Sequence, residues 1–196
     1  MTKNKIILVG GYCAAGKTTF AQNLSQKFNI PYFSKDVMEE SVVDKSGRES
    51  AEMLDKGNDI TFYCMLHIAE QLLQTGKICI LESAFNPNEI EEIKILLEKY
   101  NCECLLFILK GDLDVMVDRY IERDKTGERH WIHKPAKEKH REWFKNLMLT
   151  AFGLEEIEIG QKIIVDTTSF DKVNYENLYN AAKEFIADSN IKYKGD

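Results

Sequence analysis

The sequence predicts an α/β protein in which helices cover a parallel sheet. Short apolar segments alternate with longer amphipathic ones along the whole chain, which is the pattern that such sheets produce. A glycine-rich loop directly follows the first apolar segment and opens a helical pattern. The 196 residues suit a single domain, and no repeat or low-complexity tract divides them. We therefore expect one domain over residues 1–196.

The individual elements follow from hydrophobic periodicity. Strands are predicted over residues 5–9, 31–33, 78–82, 104–109 and 162–166. Helices are predicted over residues 17–28, 36–43, 60–75, 89–100, 113–123, 136–151 and 175–187. Gly76 is typical of a helix stop, and Asn86-Pro87-Asn88 supplies capping side chains before the fourth helix.

Charge and composition narrow the possible classes of protein. A net charge of -6 argues against nonspecific binding to nucleic acid or to anionic membranes. The first apolar run stops at glycine after residue 9, too short for a signal-peptide core or a membrane span, so we expect a cytoplasmic protein. The five cysteines are an odd set, and a disulfide framework is not expected.

The glycine-rich loop has the sequence Gly11-Tyr12-Cys13-Ala14-Ala15-Gly16-Lys17-Thr18, which fits the P-loop pattern G-x-x-x-x-G-K-[ST]. Backbone N–H groups of such a loop wrap around a phosphate, and the following helix adds the positive end of its dipole. Lys17 is expected to reach the β- and γ-phosphates, and the Thr18 hydroxyl suits Mg²⁺. Thr19, which supports the helix, completes the predicted site for a nucleoside triphosphate with Mg²⁺. A glycine turn with a solvated lysine is the alternative.

A P-loop alone does not separate a kinase from a GTPase or a motor ATPase. The sequence has no Asn-Lys-x-Asp after a strand to recognise guanine, and no Asp-x-x-Gly directly after the third strand to act as a γ-phosphate switch. These absences from the sequence disfavour a GTPase.

Two acidic residues follow predicted strands at the sheet edge where ligands gather in open α/β folds. Asp36 follows the second strand and could take a proton from an attacking hydroxyl, although it could also cap the next helix. Glu82 ends the third strand, the position of an acid that holds Mg²⁺ or its water shell. Because glutamate is one methylene longer than the usual aspartate, Glu82 could instead position a water, contact the substrate or have a structural role.

The basic residues are concentrated in one segment. Residues 119–145 carry nine lysines and arginines against five acidic residues. Arg119 and Arg123 lie four residues apart on one helix face, where both guanidiniums could meet the same phosphates. Arg129 and His130 fall in a polar stretch that predicts a lid able to close over a nucleotide. A solvated basic helix and loop is the alternative.

With these features in order, the chain resembles the small P-loop kinases, particularly the chloramphenicol phosphotransferase-like and zeta-toxin-like group with its AAA-type ATP-binding domain. The P-loop, the stretch FSKDVMEE, the stretch ILESAF and the arginine-bearing segment agree in order and spacing from residue 5 to about residue 187. The resemblance implies that Asp36 is the general base for a substrate hydroxyl. It also implies that Arg119, Arg123 and Arg129 act from the lid on the transferring phosphoryl group.

The same resemblance implies a three-layer sandwich with a five-stranded parallel sheet in the order 2-3-1-4-5 and a helical lid over about residues 119–145. The stretch VDTTSF resembles the segment that approaches the adenine, which places Thr167 and Thr168 near the base. The chain departs from the pattern at Tyr12-Cys13-Ala14-Ala15, where many relatives carry proline, serine or glycine, and at Glu82, where many carry aspartate. We expect nucleotide binding to survive both departures.

The resulting hypothesis is an ATP- and Mg²⁺-dependent phosphotransferase that acts on a hydroxyl of a small molecule. Asp36, Lys17 and the three arginines are the predicted catalytic residues, and Thr18 and Glu82 the predicted metal ligands. A nucleoside or nucleotide kinase, and a P-loop ATPase or switch acting on a protein partner, remain as alternatives. No nucleic acid or membrane partner is expected, and neither the acceptor nor the oligomeric state follows from the sequence.

Overall fold

The fold is a parallel sheet with helices against both faces, seen in a computed structural model that describes residues 3–46, 60–127, 129–133, 138–151 and 154–187. The strands are β1 (Asn4–Gly11), β2 (Tyr32–Ser34), β3 (Cys79–Glu82), β4 (Cys102–Lys110) and β5 (Gln161–Asp166). The helices are α1 (Lys17–Phe28), α2 (Lys35–Ser46), α3 (Ile60–Gln74), α4 (Pro87–Lys99), α5 (Leu113–Lys125), α6 (Arg141–Ala151) and α7 (Tyr175–Ala187). Short 3₁₀ turns lie at Glu138–His140 and Phe170–Lys172.

The five strands are parallel and lie in the order β2-β3-β1-β4-β5, which confirms the predicted fold class and strand order. β1 is central and is buried from its second residue to its last, as expected for a strand covered on both faces. Because side chains alternate along a strand, Ile7 and Val9 join one core and Ile6 and Leu8 join the other. Burial of both apolar faces is the main favourable contribution to folding.

The helices divide between these two cores. Buried side chains of α1, α5, α6 and α7 fill the first core, among them Phe20, Val117, Phe144 and Ala182. Buried side chains of α3 and α4 fill the second. In the described part of the chain, none of the helices combines the length and the apolar character needed to cross a membrane.

Some element boundaries differ from the predicted ones, and capping explains the clearest case. α4 begins at Pro87 rather than at 89, because the Asn86 side chain accepts a hydrogen bond from the Glu89 amide while the Glu89 carboxylate accepts one from the Asn86 amide, each at 3.0 Å. α2 also begins earlier than predicted, at Lys35 rather than at 36, directly after Ser34, whose hydroxyl accepts from the Val37 amide. β4 is longer than predicted at both ends.

The last predicted helix of the basic segment is shorter than expected. The prediction covered residues 136–151, whereas α6 spans residues 141–151 and follows a 3₁₀ turn. Residues 136 and 137 lie outside the described residues, as do residue 128 and residues 134–135 of the predicted lid.

Candidate functional site

A cavity of about 1030 Å³ opens where the carboxyl ends of the strands meet the helices. Its walls come from the loop after β1, the start of α2, the end of β3, the helices α5 and α6, the segment 129–133 and Phe170. Ligands of open α/β sheets bind at this edge, so the topology alone makes the cavity the candidate site.

The P-loop is held in shape by backbone geometry that glycine permits. Gly11 has a φ of +118°, and a Cβ there would lie 2.0 Å from the Leu109 carbonyl oxygen. Gly16 is left-handed, with a φ of +85°, and precedes α1 directly. The Tyr12 amide donates to the Leu109 carbonyl at 2.9 Å, which ties the loop to β4. The loop therefore leads into the amino end of α1 with its path fixed by the central strands.

The residues between the two glycines of the loop differ in conformation and surroundings. Ala14 adopts a φ of +57°, a left-handed conformation that residues other than glycine rarely take. Ala15 is fully buried, whereas Cys13, Ala14 and Thr19 line the cavity. Most of the predicted loop residues thus line the cavity, and the exceptions are Gly11, Tyr12 and Ala15.

Lys17 and Thr18 lie at the first turn of α1. The Lys17 side chain is 9% exposed, and its Nζ donates to the Tyr12 carbonyl at 3.0 Å, which folds the ammonium back across the loop. The Thr18 hydroxyl donates to Oε2 of Glu82 at 3.2 Å. β1 and β3 thereby bring an ammonium, a hydroxyl and a carboxylate together at one end of the cavity.

Glu82 is buried, with 2% of its surface exposed. Burial is the main reason that its pKa is raised, and the neighbouring Asp36 carboxylate raises it further. The Lys17 ammonium and the hydroxyls of Ser34 and Thr18 act in the opposite direction. A desolvated carboxylate beside a hydroxyl is an oxygen pair that a hard cation would stabilise.

Only part of a cation's coordination shell is present. Among the described residues, no group of three or more histidine, cysteine, aspartate and glutamate side chains could hold a metal ion. Thr18 and Glu82 still fit Mg²⁺, because this ion is usually bound through one or two protein oxygens together with waters and substrate phosphates. The donor set is therefore compatible with Mg²⁺ carried in with a nucleotide.

Asp36 lies in the first turn of α2, exposed and facing the cavity. The residue in the capping position is Ser34, whose Oγ accepts a hydrogen bond from the Val37 amide at 3.5 Å. Asp36 is close enough to Glu82 and Glu39 to raise the pKa of each. Of the two roles considered for Asp36, helix capping belongs to its neighbour, and the carboxylate is left accessible to a ligand.

Arg119 points toward the segment after β5. Its guanidinium donates to the carbonyls of Thr167 and Thr168 at 2.7 and 2.8 Å and lies 4.0 Å from the centre of the Phe170 ring. Thr167 is fully buried, and neither threonine lines the cavity, whereas Arg119 and Phe170 do. The Arg119 guanidinium and the Phe170 ring, rather than the two threonines, therefore form this part of the cavity wall.

The other two predicted arginines differ in their surroundings. Arg123 lines the cavity, is exposed and makes no hydrogen bond from its guanidinium to any of the described residues. Arg129 lies over the Tyr120 ring at 3.9 Å, donates to the Tyr120 hydroxyl, and pairs with Asp124 at 3.3 Å. Burial raises the pKa of Tyr120 to about 12, so its hydroxyl stays protonated beside the guanidinium. All three arginines line the cavity, and Arg123 is the most exposed of them.

Two histidines join the lid segment to α2. His130 Nε2 lies 3.0 Å from Oδ1 of Asp44, and His133 Nε2 lies 2.7 Å from Oε1 of Glu40. These contacts hold the segment 129–133 against the helix that carries Asp36. Residues 129–133 therefore lie against α2 and contribute to the cavity wall.

Sequence reasoning missed several cavity residues. Glu39, Glu40 and Phe170 line the cavity, and although they lie in the stretches FSKDVMEE and VDTTSF, no role was predicted for them. For Glu39 and Glu40 a signal was present, since residues three and four positions after Asp36 share its helix face. The contacts across the lid had no such signal, because they join residues about ninety positions apart.

Comparison with known proteins adds to this geometry. A family described as an AAA domain matches residues 6–148 of the chain. No curated protein sequence matches the chain significantly.

Three of the solved structures that resemble the chain are kinases by description. One is a candidate kinase from Chloroflexus aurantiacus, which is 23% identical, with a TM-score of 0.80 over 96% of this chain and 99% of that one. A sugar kinase from a Janibacter species is 14% identical, with a TM-score of 0.60 over 94% of each chain. A gluconokinase from Sinorhizobium meliloti is 14% identical, with a TM-score of 0.58 over 94% of each chain. At these identities the likeness shows a shared P-loop kinase fold.

The buried carboxylate of Glu82 leads to a prediction about stability. We expect Glu82→Gln to stabilise the free protein at neutral and alkaline pH, since the uncharged amide escapes the cost of burying a charge. Because the folded-state pKa of Glu82 is raised, this carboxylate lowers stability progressively as the pH rises from the ordinary carboxyl pKa through the raised one. Thermal unfolding across this pH range measures the effect, and the advantage of the variant should vanish at low pH.

The matched control is Glu176→Gln, which removes a charge from an exposed residue in the first turn of α7. It should not reproduce the pH-dependent gain. If Glu82→Gln lost stability equally at every pH, the Glu82 carboxylate would be contributing structural hydrogen bonds rather than a desolvated charge.

Proposed function

The chain belongs to the AAA domain family, and on that basis we propose that it is a Mg²⁺-dependent kinase, which transfers the γ-phosphoryl group of ATP to a hydroxyl of a small molecule. The main support for this proposal is that one cavity is lined by the P-loop lysine and threonine, by the buried Glu82 and by the accessible Asp36. A nucleotide-binding module alone has no need of that second, accessible carboxylate.

The P-loop supplies the phosphate site in this proposal. Backbone N–H groups at the start of α1 and the positive end of the helix dipole attract the phosphates. The Lys17 ammonium, which rests on the Tyr12 carbonyl in the free protein, exchanges that contact for the β- and γ-phosphate oxygens. Thr18 and Glu82 are the residues that would hold Mg²⁺, which would supply positive charge to offset that of the phosphates.

Asp36 is the proposed general base. Its carboxylate accepts the proton of the acceptor hydroxyl, whose oxygen forms a bond to the γ-phosphorus while the bond between that phosphorus and the β–γ bridging oxygen breaks. ADP leaves with the bridging oxygen, and the product is a phosphate monoester. The exposed position of Asp36 and its freedom from capping support this role.

The arginines of α5 and the lid are proposed to divide the remaining work. The Arg123 guanidinium, which makes no hydrogen bond to the described residues, is the group proposed to meet the transferring phosphoryl group. Arg119 and Phe170 offer a flat cationic and aromatic surface for the adenine, with Thr167 and Thr168 holding the guanidinium in place. Closure of the segment 129–133 over the cavity excludes water and suppresses hydrolysis of ATP.

A small-molecule acceptor is favoured by the structural neighbours. Two of the solved structures described above are a sugar kinase and a gluconokinase, and both cover almost the whole chain. We place the protein with the chloramphenicol phosphotransferase-like and zeta-toxin-like group on the combination of the P-loop, Asp36 and the arginine lid. A single domain over residues 1–196, with its lid at about 119–145, is part of the same proposal.

The general-base role predicts the behaviour of Asp36→Asn. We expect phosphoryl transfer to fall by about 10²- to 10⁴-fold, because the amide cannot accept the hydroxyl proton. ATP affinity, measured by calorimetry with a non-hydrolysable analogue and Mg²⁺, should stay within about twofold, because Asp36 makes no contact with the P-loop lysine or threonine among the described residues. Full activity in this variant would show that another group takes the proton.

The lid role predicts a difference between two arginines. Arg123→Ala should lower kcat by about 10²- to 10³-fold, as expected when a cation that stabilises the transferring group is removed. Arg141→Ala is the matched control: this guanidinium pairs with Asp114 and Asp118 at 3.4 and 2.5 Å and does not line the cavity. Steady-state kinetics should show Arg141→Ala close to the unsubstituted protein, and equal losses in both variants would contradict a specific role for Arg123.

A further inference from the structure

The cavity has a half that is built by α2 and by residues 130–133, which the two histidines hold against it. We call it the acceptor half, because it contains Asp36. Its described lining residues are Asp36, Val37, Glu39, Glu40, His130, Ile132 and His133. Arg129, which precedes residues 130–133, directs its guanidinium to Tyr120 and Asp124 of α5 instead. The opposite half is formed by the P-loop, α5 and Phe170 and contains Lys17, Arg119 and Arg123.

Carboxylates dominate the charge of the acceptor half. Asp36, Glu39 and Glu40 lie at successive positions of one helix face and all line the cavity. The two imidazoles there are already engaged, His133 with Glu40 and His130 with Asp44. Three carboxylates thus line the acceptor half, and one of the two imidazoles is paired with Asp44, which lies outside the cavity lining.

Lys35, at the start of α2, does not neutralise these carboxylates. The Nζ of Lys35 lies 2.5 Å from the Glu89 carboxylate of α4, which is itself buried, so its charge is committed to a partner outside the cavity. Among the described lining residues, every lysine or arginine belongs to the P-loop, α5 or residue 129. Among the described residues of the acceptor half, an anionic acceptor would therefore meet three carboxylates and two imidazoles that are already paired.

The surroundings of Glu39 disfavour the ionised form of its carboxylate. Glu39 is half-buried, and its carboxylate accepts one hydrogen bond from the Thr61 hydroxyl at 3.1 Å. Burial, followed by repulsion from Asp36, raises its pKa, and the attraction of Lys35 and His133 compensates only in part. A cation placed beside the Glu39 carboxylate would offset both effects.

Apolar side chains line the cavity as well. Val37 and Ile132 line the acceptor half, and the Trp143 ring lines the cavity with 53% of its surface exposed. An indole face attracts a cation as well as apolar groups. The cavity thus suits a ligand that joins an apolar or ring-shaped body to a positive charge.

We propose that the acceptor is an alcohol that carries at least one protonated amine, such as an amino sugar or another amino alcohol, with its ammonium held by Glu39 and Glu40 and its hydroxyl presented to Asp36. The inference rests on the proposed kinase function and narrows its acceptor. The amine stays protonated throughout and is not phosphorylated. The bonds that form and break are those of the hydroxyl transfer described above.

The test compares acceptors that differ only in charge. Glucosamine, N-acetylglucosamine, glucose and gluconate form one set, and kanamycin with its fully N-acetylated form is another. Each is assayed with ATP and Mg²⁺ for a product heavier by one phosphoryl group, and its binding is measured by calorimetry with a non-hydrolysable ATP analogue. We expect an amine to exceed its N-acetylated partner by about tenfold or more in kcat/KM or in affinity.

Variants assign the preference to the carboxylates. Glu39→Gln keeps an oxygen that can accept from Thr61, and should raise the KM of the best amine by about tenfold while leaving the KM of ATP unchanged and narrowing the preference for amines. Glu40→Gln should act in the same direction. Glu176→Gln, far from the cavity on α7, is the control for loss of one negative charge and should change neither value.

The outcomes separate this inference from the kinase function. Phosphorylation or binding of the neutral or anionic members in preference to the amines would overturn the amine-bearing acceptor but leave the kinase intact. Absence of binding by any amine would also overturn it. Release of inorganic phosphate without a phosphorylated product, whichever alcohol is added, would overturn the kinase function itself.

Discussion

The parallel pairing of β2, β3 and β1 is the constraint on which the rest of the site depends. In the sheet, Ser34 pairs with Glu82 and Glu82 pairs with Val9, so these three residues form one row across three strands. Two residues beyond that row, the chain reaches Asp36 on one side and Gly11 on the other. Hydrogen bonding between strands therefore sets the relative positions of the candidate base, the candidate metal ligand and the P-loop. A slip of one residue in either pairing would turn Glu82 or Asp36 away from the loop.

The charges of the cavity follow from this arrangement and work against the stability of the free protein. Glu82 is buried and Glu39 is half-buried, and the pKa of each is raised, so both carboxylates carry a desolvation cost when no ligand is bound. We infer that ligands carrying positive charge would remove this cost, Mg²⁺ at Glu82 and an amine at Glu39. Lys17, Arg119 and Arg123 lie in the other half of the cavity, where the phosphates of ATP would neutralise their positive charge. In this account the cavity is separated into two regions of opposite charge, each matched to one substrate.

The fold and the local motifs could be predicted from the sequence, because their signals lie within short stretches. The P-loop occupies consecutive residues, and the alternation of strands and helices is visible in the periodicity. Positions that depend on long-range packing could not be predicted. Arg119 shares a helix face with Arg123, which suggested one common target, yet its guanidinium contacts the carbonyls of Thr167 and Thr168. Nothing local in the sequence indicated that His133 would meet Glu40, or that Phe170 would stack on Arg119.

The central claim is that a hydroxyl, rather than water, receives the γ-phosphoryl group of ATP. Phosphorus-31 NMR tests it most directly, because one time course of the full-length protein with Mg²⁺, ATP and a panel of alcohols resolves ATP, ADP, phosphate monoesters and inorganic phosphate. The account predicts that a phosphate monoester appears in step with ADP, with little inorganic phosphate. Inorganic phosphate as the sole phosphorus product beside ADP, with every alcohol in the panel, would contradict it.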